Sequence, residues 1–108
     1  LVEFSFEGLN GTHRRGHNVY GLEMARATFE GTKELLKGER PFILTRAGFS
    51  GVQRYSAVWT GDNVSSDDHM MLGVRMLSSL GLVGVPYVGM DIGGFSGNPS
   101  KELLESHK

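Results

Sequence analysis

The chain has 108 residues, enough for one modest core, so it is expected to form one domain or part of one rather than several. Eleven Lys and Arg against twelve Asp and Glu leave a net charge of -1, and no basic cluster exceeds Arg14-Arg15. This argues against a nucleic-acid partner, and no apolar run has the length of a membrane span, so a membrane partner is not expected either. The absence of cysteine excludes disulfides, zinc-thiolate sites and a thiol nucleophile while leaving the compartment open. The sequence begins at Leu1 without an initiator Met and ends in a helical pattern at Glu105-Ser106-His107-Lys108, which reads as a piece of a longer protein.

In chain order, residues 1–7 alternate, with Val2, Phe4 and Phe6 on one side and Glu3, Ser5 and Glu7 on the other, as in a half-buried strand or a packed loop. Asn18 is a suitable cap for a helix running to about residue 37, with Leu22, Ala25, Phe29 and Leu36 near helical spacing and Gly38 beyond the end. Residues 41–45, 56–59 and 85–90 are short, nearly continuous apolar runs, which suit parallel strands covered on both faces. Between the first two, residues 47–55 are short for a parallel crossover, which normally needs about a dozen residues. They hold at most one helical turn, at 49–53. Between the last two runs lies a clear helix: Ser65 and Asp68 form a capping box, Asp67 and Asp68 favour the positive end, and Met71, Val74, Met76 and Leu77 are expected on its buried side before Gly81 stops it. A final helix is expected from about Asn98 or Ser100, with Pro99 in its first turn.

Strands alternating with helices predict an α/β fold with a parallel sheet, and ligands in such folds gather where strands end and loops begin. Arg46, Asp62 and Asp91 all stand there, each just after an apolar run. A carboxyl at the polar end of a strand can be partly desolvated, which favours its acid form, and Trp59 nearby offers a flat face on which a pyranose stacks. That is the chemistry of a sugar-cleaving acid/base. By residue type alone Asp62 is more readily a turn residue or cap, Asp91 another turn carboxylate, Arg46 half of a weak surface ion pair, and Trp59 a core residue. His13 and His17 have the four-residue spacing of a metal pair, but Gly16 is expected to interrupt a helix there and no Glu follows His13, so no metal is expected. Gly93-Gly94-Phe95-Ser96-Gly97 lacks both a full Gly-x-Gly-x-x-Gly and a Gly-Lys-Ser/Thr, so it is not read as a nucleotide loop. Met70, Met71 and Met76 are read as helix packing.

The residues 42–55, Phe-Ile-Leu-Thr-Arg-Ala-Gly-Phe-Ser-Gly-Val-Gln-Arg-Tyr, then Ala57-Val58-Trp59-Thr60-Gly61-Asp62-Asn63, then Gly89-Met90-Asp91-Ile92-Gly93-Gly94-Phe95, closely resemble glycoside hydrolase family 31, and its α-glucosidases in particular. The resemblance extends from His17 nearly to the end, with only Ser106-His107-Lys108 foreign to it. It implies a partial TIM barrel of about three parallel strands with flanking helices, residues 1–108 being a middle portion of the catalytic barrel. By similarity, Asp62 is the general acid/base, Arg46 binds sugar hydroxyls and neighbouring carboxylates, Trp59 lines the pocket, Asp91 hydrogen-bonds the terminal glucose and Phe95 forms part of the wall. Arg54 is read as structural or as supporting the site from behind. No cofactor is implied, and the expected partners are an α-glucoside or oligosaccharide and the remainder of the barrel.

One departure bears on activity. The family's nucleophile lies in a Trp-x-Asp-Met-Asn-Glu-like segment that is missing here, and a retaining mechanism needs two carboxyls about 5–5.5 Å apart. The chain is therefore expected to carry half of a retaining α-glucosidase site and to be inactive alone. The alternative is a non-catalytic carbohydrate-binding or structural fragment.

Overall fold

The structure, a computed structural model, describes residues 3–6 and 9–106, and the chain divides into two compact units, one up to Ser56 and one from Ala57 onward. The expectations placed on Leu1, Val2, Glu7, His107 and Lys108, and the facing of Phe4 and Phe6, fall outside the described residues and side chains.

In the first unit, β1 (Glu3–Phe6) pairs antiparallel with β2 (Leu9–Thr12), in register from Glu3↔Thr12 to Phe6↔Leu9. The second strand was not expected, because Leu9-Asn10-Gly11-Thr12 has little intrinsic strand preference and is held by its ladder. From β2 the chain passes directly into α1 (His13–Leu35), whose cap is Thr12. This corrects the expected start at Asn18. Gly16 lies buried inside the helix instead of breaking it, since an interior glycine costs only about 1 kcal/mol relative to alanine, which packing readily offsets. His13 and His17 are one helical turn apart, with His13 Nε2 and His17 Nδ1 in a 2.8 Å hydrogen bond.

Leu22 and Ala25 form the buried stripe of α1, and the Phe29 ring tilts against Tyr55 at 5.9 Å between centroids. Gly21 lets the helix approach closely, because a Cβ there stands only 2.8 Å from the Ala47 Cβ. Leu36, expected on that stripe, is the C-cap and exposed, since the helix has ended. After Gly38 come β3 (Leu44–Thr45) and a 3-10 turn at Val52–Arg54, slightly later than the single turn expected at 49–53. Val52 anchors that turn at 3% exposure. Arg54 folds onto its own turn, donating from Nε to the Gly51 carbonyl at 3.1 Å and lying over the Tyr55 ring. That fits the structural reading.

In the second unit β4 (Ala57–Trp59) and β5 (Val88–Gly89) run parallel in the register Val58↔Val88, Trp59↔Gly89. The strand runs were thus correctly located, although each regular segment is shorter than its apolar run. Between them α2 (Asp67–Leu82) is capped by Ser66, whose Oγ accepts the His69 N–H at 3.3 Å. The expected cap at Ser65 is one residue early, because the Ser65 N–H is held by the Ser96 carbonyl. The helix also runs through Gly81. It ends at Leu82 with Val83 as its cap, and at Gly84, where φ is +88°, the chain turns so that Gly84 and Val85 donate back to the carbonyls of Gly81 and Leu80, a six-residue closure that needs a left-handed position.

The buried side of α2 differs from the expected one. Gly73 is buried, with Met70, Leu77 and Leu80 half-buried at the spacing of one stripe, whereas Met71, Val74 and Met76 are exposed. Gly73 faces Met90, and a Cβ there collides with its sulfur, so the close approach of helix and strand selects this face. The short α3 (Lys101–Glu105) is capped by Ser100, which accepts from the Leu103 N–H at 3.1 Å. Pro99 therefore precedes the cap and is not in the first turn; its ring packs on Gly93. Val85 and Leu103, at 7% and 3% exposure, form the small core, each contributing roughly 1.5–3 kcal/mol by burial.

Candidate functional site

The site is built where β4 and β5 end. The last rung of the ladder is the Thr60 N–H to the Gly89 carbonyl at 3.1 Å, after which Gly61 turns the chain at φ +85° and presents Asp62. Asp62 is exposed, not partly desolvated, since it stands on a turn beyond the strand. Asp91 follows β5 by two residues and is half-buried. Because the two strands are parallel, both carboxylates leave the sheet at its C-terminal edge.

Asn63 ties the two loops together. Its side chain donates to Thr60 Oγ1, while its carbonyl accepts the N–H groups of Phe95 at 2.8 Å and Ser96 at 3.0 Å. One residue further, Val64 and Ser96 form an isolated parallel bridge, and the Ser65 N–H reaches the Ser96 carbonyl at 2.8 Å. On the opposite loop the Asp91 carbonyl accepts the Gly94 N–H at 3.0 Å, a tight turn whose third position, Gly93, needs its φ of +80°. Asp91 thus has a turn role in its backbone, which leaves its carboxylate available for another. Gly94, also left-handed, lies against the Ser65 backbone.

Of the five residues singled out by sequence, Trp59, Asp62, Asp91 and Phe95 share the second unit, at or just beyond the joined strand ends. Trp59 is half-buried at the end of β4 and Phe95 is 65% exposed in the loop after β5. Arg46 belongs to the first unit, on an exposed bend after β3. The second unit contains a cavity of about 10 Å³ lined by residues including Asn63, His69, Met90, Asp91 and Leu103. That is room for about one water, and a sugar needs a pocket of several hundred Å³.

Sequence reasoning missed three contributors, Asn63, Ser66 and His69. The last accepts the Val64 N–H on its Nδ1 at 2.9 Å. Ser66 stands next to the expected cap and bonds only the backbone N–H of His69, so that spacing does not single out a histidine, and the partner of the imidazole lies in the preceding loop with no fixed spacing to search for.

The family profile described as "Glycosyl hydrolases family 31 TIM-barrel domain" matches residues 4–106. "Alpha-glucosidase 2" of Bacillus thermoamyloliquefaciens is 58% identical over 93 residues, covering 86% of this chain and 12% of that protein. Human "Neutral alpha-glucosidase AB" is 52% identical over 93 residues, covering 85% and 10%. A crystal structure of glucosidase II alpha subunit bound to Glc1Man2 superposes with a TM-score of 0.79 at 44% identity, covering 86% of this chain and 10% of that one. The cycloalternan-degrading enzyme from Trueperella pyogenes gives a TM-score of 0.79 at 27% identity, covering 93% and 15%. The chain thus spans about a tenth of the length of these curated relatives. Its α/β strands and flanking helices match the barrel of that family at both sequence and fold level, and the chain belongs to glycosyl hydrolase family 31.

Proposed function

We propose that this chain is the middle portion of the catalytic barrel of a retaining α-glucosidase, which removes terminal α-linked glucose from oligosaccharides or glycans. Asp62 is the general acid/base: it protonates the leaving oxygen and later takes a proton from the attacking water. Asp91 hydrogen-bonds the terminal glucose, Trp59 and Phe95 present aromatic surface to its ring, and Arg46 binds hydroxyls and neighbouring carboxylates. The nucleophile is supplied by barrel segments outside these 108 residues.

The observation that carries this reading is the joining of the Asp62 and Asp91 loops through Asn63 at one end of two parallel strands. Two carboxylates that follow separate strands are thereby held by a common frame, within a family whose named relatives include α-glucosidases.

Two measurements test it. In the full-length protein carrying this chain, proton NMR of the hydrolysis of an aryl α-glucoside, whose only released sugar is the transferred glucose, is expected to detect the α-anomer of glucose first, before mutarotation. First appearance of the β-anomer would exclude retention, and sugar binding without hydrolysis would favour the non-catalytic alternative.

The isolated 108-residue chain is expected to hydrolyse neither maltose nor an activated aryl glucoside. It is also expected to aggregate or melt readily, since Phe42, Leu82 and Tyr87 are 79%, 89% and 77% exposed. A monodisperse, cooperatively unfolding monomer, or measurable turnover, contradicts this assignment of the barrel's parts.

A further inference from the structure

The backbone N–H groups of the segment that follows Asp62 are satisfied one by one. Asn63 donates to the Gly61 carbonyl, Ser65 to Ser96 and Ser66 to Val64, all backbone acceptors. Val64 differs, because its N–H donates to a side chain, Nδ1 of His69, at 2.9 Å. For Nδ1 to accept, it must carry no proton, so the proton of the neutral ring sits on Nε2.

His69 is itself held at the helix start, its backbone N–H donating to Ser66 Oγ. The imidazole is exposed, so hydrogen bonding rather than enclosure sets its place. A side chain on the first turn of α2 thus pins the backbone two residues beyond Asp62, while Asn63, the residue between them, is tied through its carbonyl to the loop of Phe95 and Ser96.

We propose that His69 is a positioning residue for Asp62: through the Val64 N–H it fixes the turn that aims the acid/base at the leaving oxygen. The proposal rests on the reading of Asp62 as acid/base. His69 contacts no sugar in this scheme and transfers no proton. Its required feature is an acceptor at the Nδ1 position, which the Oδ1 of asparagine reproduces and the longer side chain of glutamine displaces.

The test compares H69N, H69Q and H69L with D62N in the full-length protein, using maltose and an aryl α-glucoside with an activated leaving group. H69N is expected to stay within roughly threefold of the unmodified enzyme on both substrates. H69Q and H69L are expected to lose roughly ten- to a hundredfold in kcat/KM for maltose and far less in kcat/KM for the activated glucoside, since kcat/KM reports the glycosylation step, in which a misaimed acid matters only where the leaving group needs protonation. H69Q, polar and close in size, keeps the comparison valid where H69L fails to fold.

Equal activity of H69Q and H69N, or parallel losses on both substrates, overturns the positioning role while D62N alone remains selective. If D62N is not selective between the substrates, the acid/base reading and this proposal fall together.

Discussion

In the full-length protein, Asp62→Asn is expected to lower maltose hydrolysis by roughly 10²- to 10⁴-fold, the range general acid/base groups contribute, while leaving sugar binding largely intact. The amide keeps the size and part of the hydrogen bonding of the carboxyl but has no acidic proton to deliver. An activated aryl glucoside needs little protonation, so its glycosylation step is expected to retain much of its rate and to leave a glycosyl-enzyme that lacks a base for hydrolysis. Azide needs no base to attack. It is therefore expected to restore turnover and to appear in the product as a glucosyl azide, which chromatography detects directly. Asp91→Asn is the contrasting case: it weakens contacts to the sugar in ground and transition states, and azide is expected to do nothing for it. Equal loss of both substrates by Asp62→Asn, with binding retained and no azide product, would return Asp62 to a turn role.

Gly94→Ala is expected to be the more damaging of two similar glycine substitutions in the loop after β5. Gly94 and Gly97 have nearly the same backbone, with φ of +83° and +92°, so alanine at either incurs the left-handed cost of roughly 1–2 kcal/mol. Their surroundings differ. A Cβ on Gly94 stands 2.9 Å from both Cα and N of Ser65, backbone atoms that cannot rotate away, whereas the nearest atom to a Cβ on Gly97 is the Ser65 Cβ at an ordinary 3.8 Å. Overpacking adds about 1–3 kcal/mol at Gly94 alone, for a total on the order of 2–5 kcal/mol. Denaturant unfolding of the two variants in the full-length protein is expected to show that gap. Gly94→Ala is also expected to lower activity, since the displaced segment carries the N–H groups held by the Asn63 carbonyl. Equal destabilisation by both variants would mean that the Ser65 backbone yields without cost.

The two loops also show why some of the site could be read in the sequence and some could not. Asp62, Asp91, Trp59 and Phe95 stood out because they lie at or just past apolar runs, in ordered motifs that resemble a known family, and position along the chain is what a sequence records. Arg46 was singled out in the same way, although it belongs to the other compact unit. Asn63 was part of the quoted motif without a role, because its role depends on Phe95 and Ser96, more than thirty residues away. His69 carried no signal beyond its residue type.

The sequence by itself determined the α/β class, the existence of α2 with Asp67 and Asp68 in its first turn, the location of β3, β4 and β5, and the family. These follow from local periodicity, local turn chemistry and motif order. Only the tertiary structure decided which serine caps α2, because Ser65 is held by Ser96 and the cap passes to Ser66. It likewise decided which side of α2 is buried, because Gly73 admits Met90 more closely than any larger residue does, turning Met71 and Val74 outward. The start of α1 at His13 was decided by the β1–β2 pairing just before it, which fixes where the strand ends and the helix begins. In each case several local solutions have nearly equal energy, within about 1 kcal/mol for a cap or an interior glycine, and a contact distant in sequence selects among them.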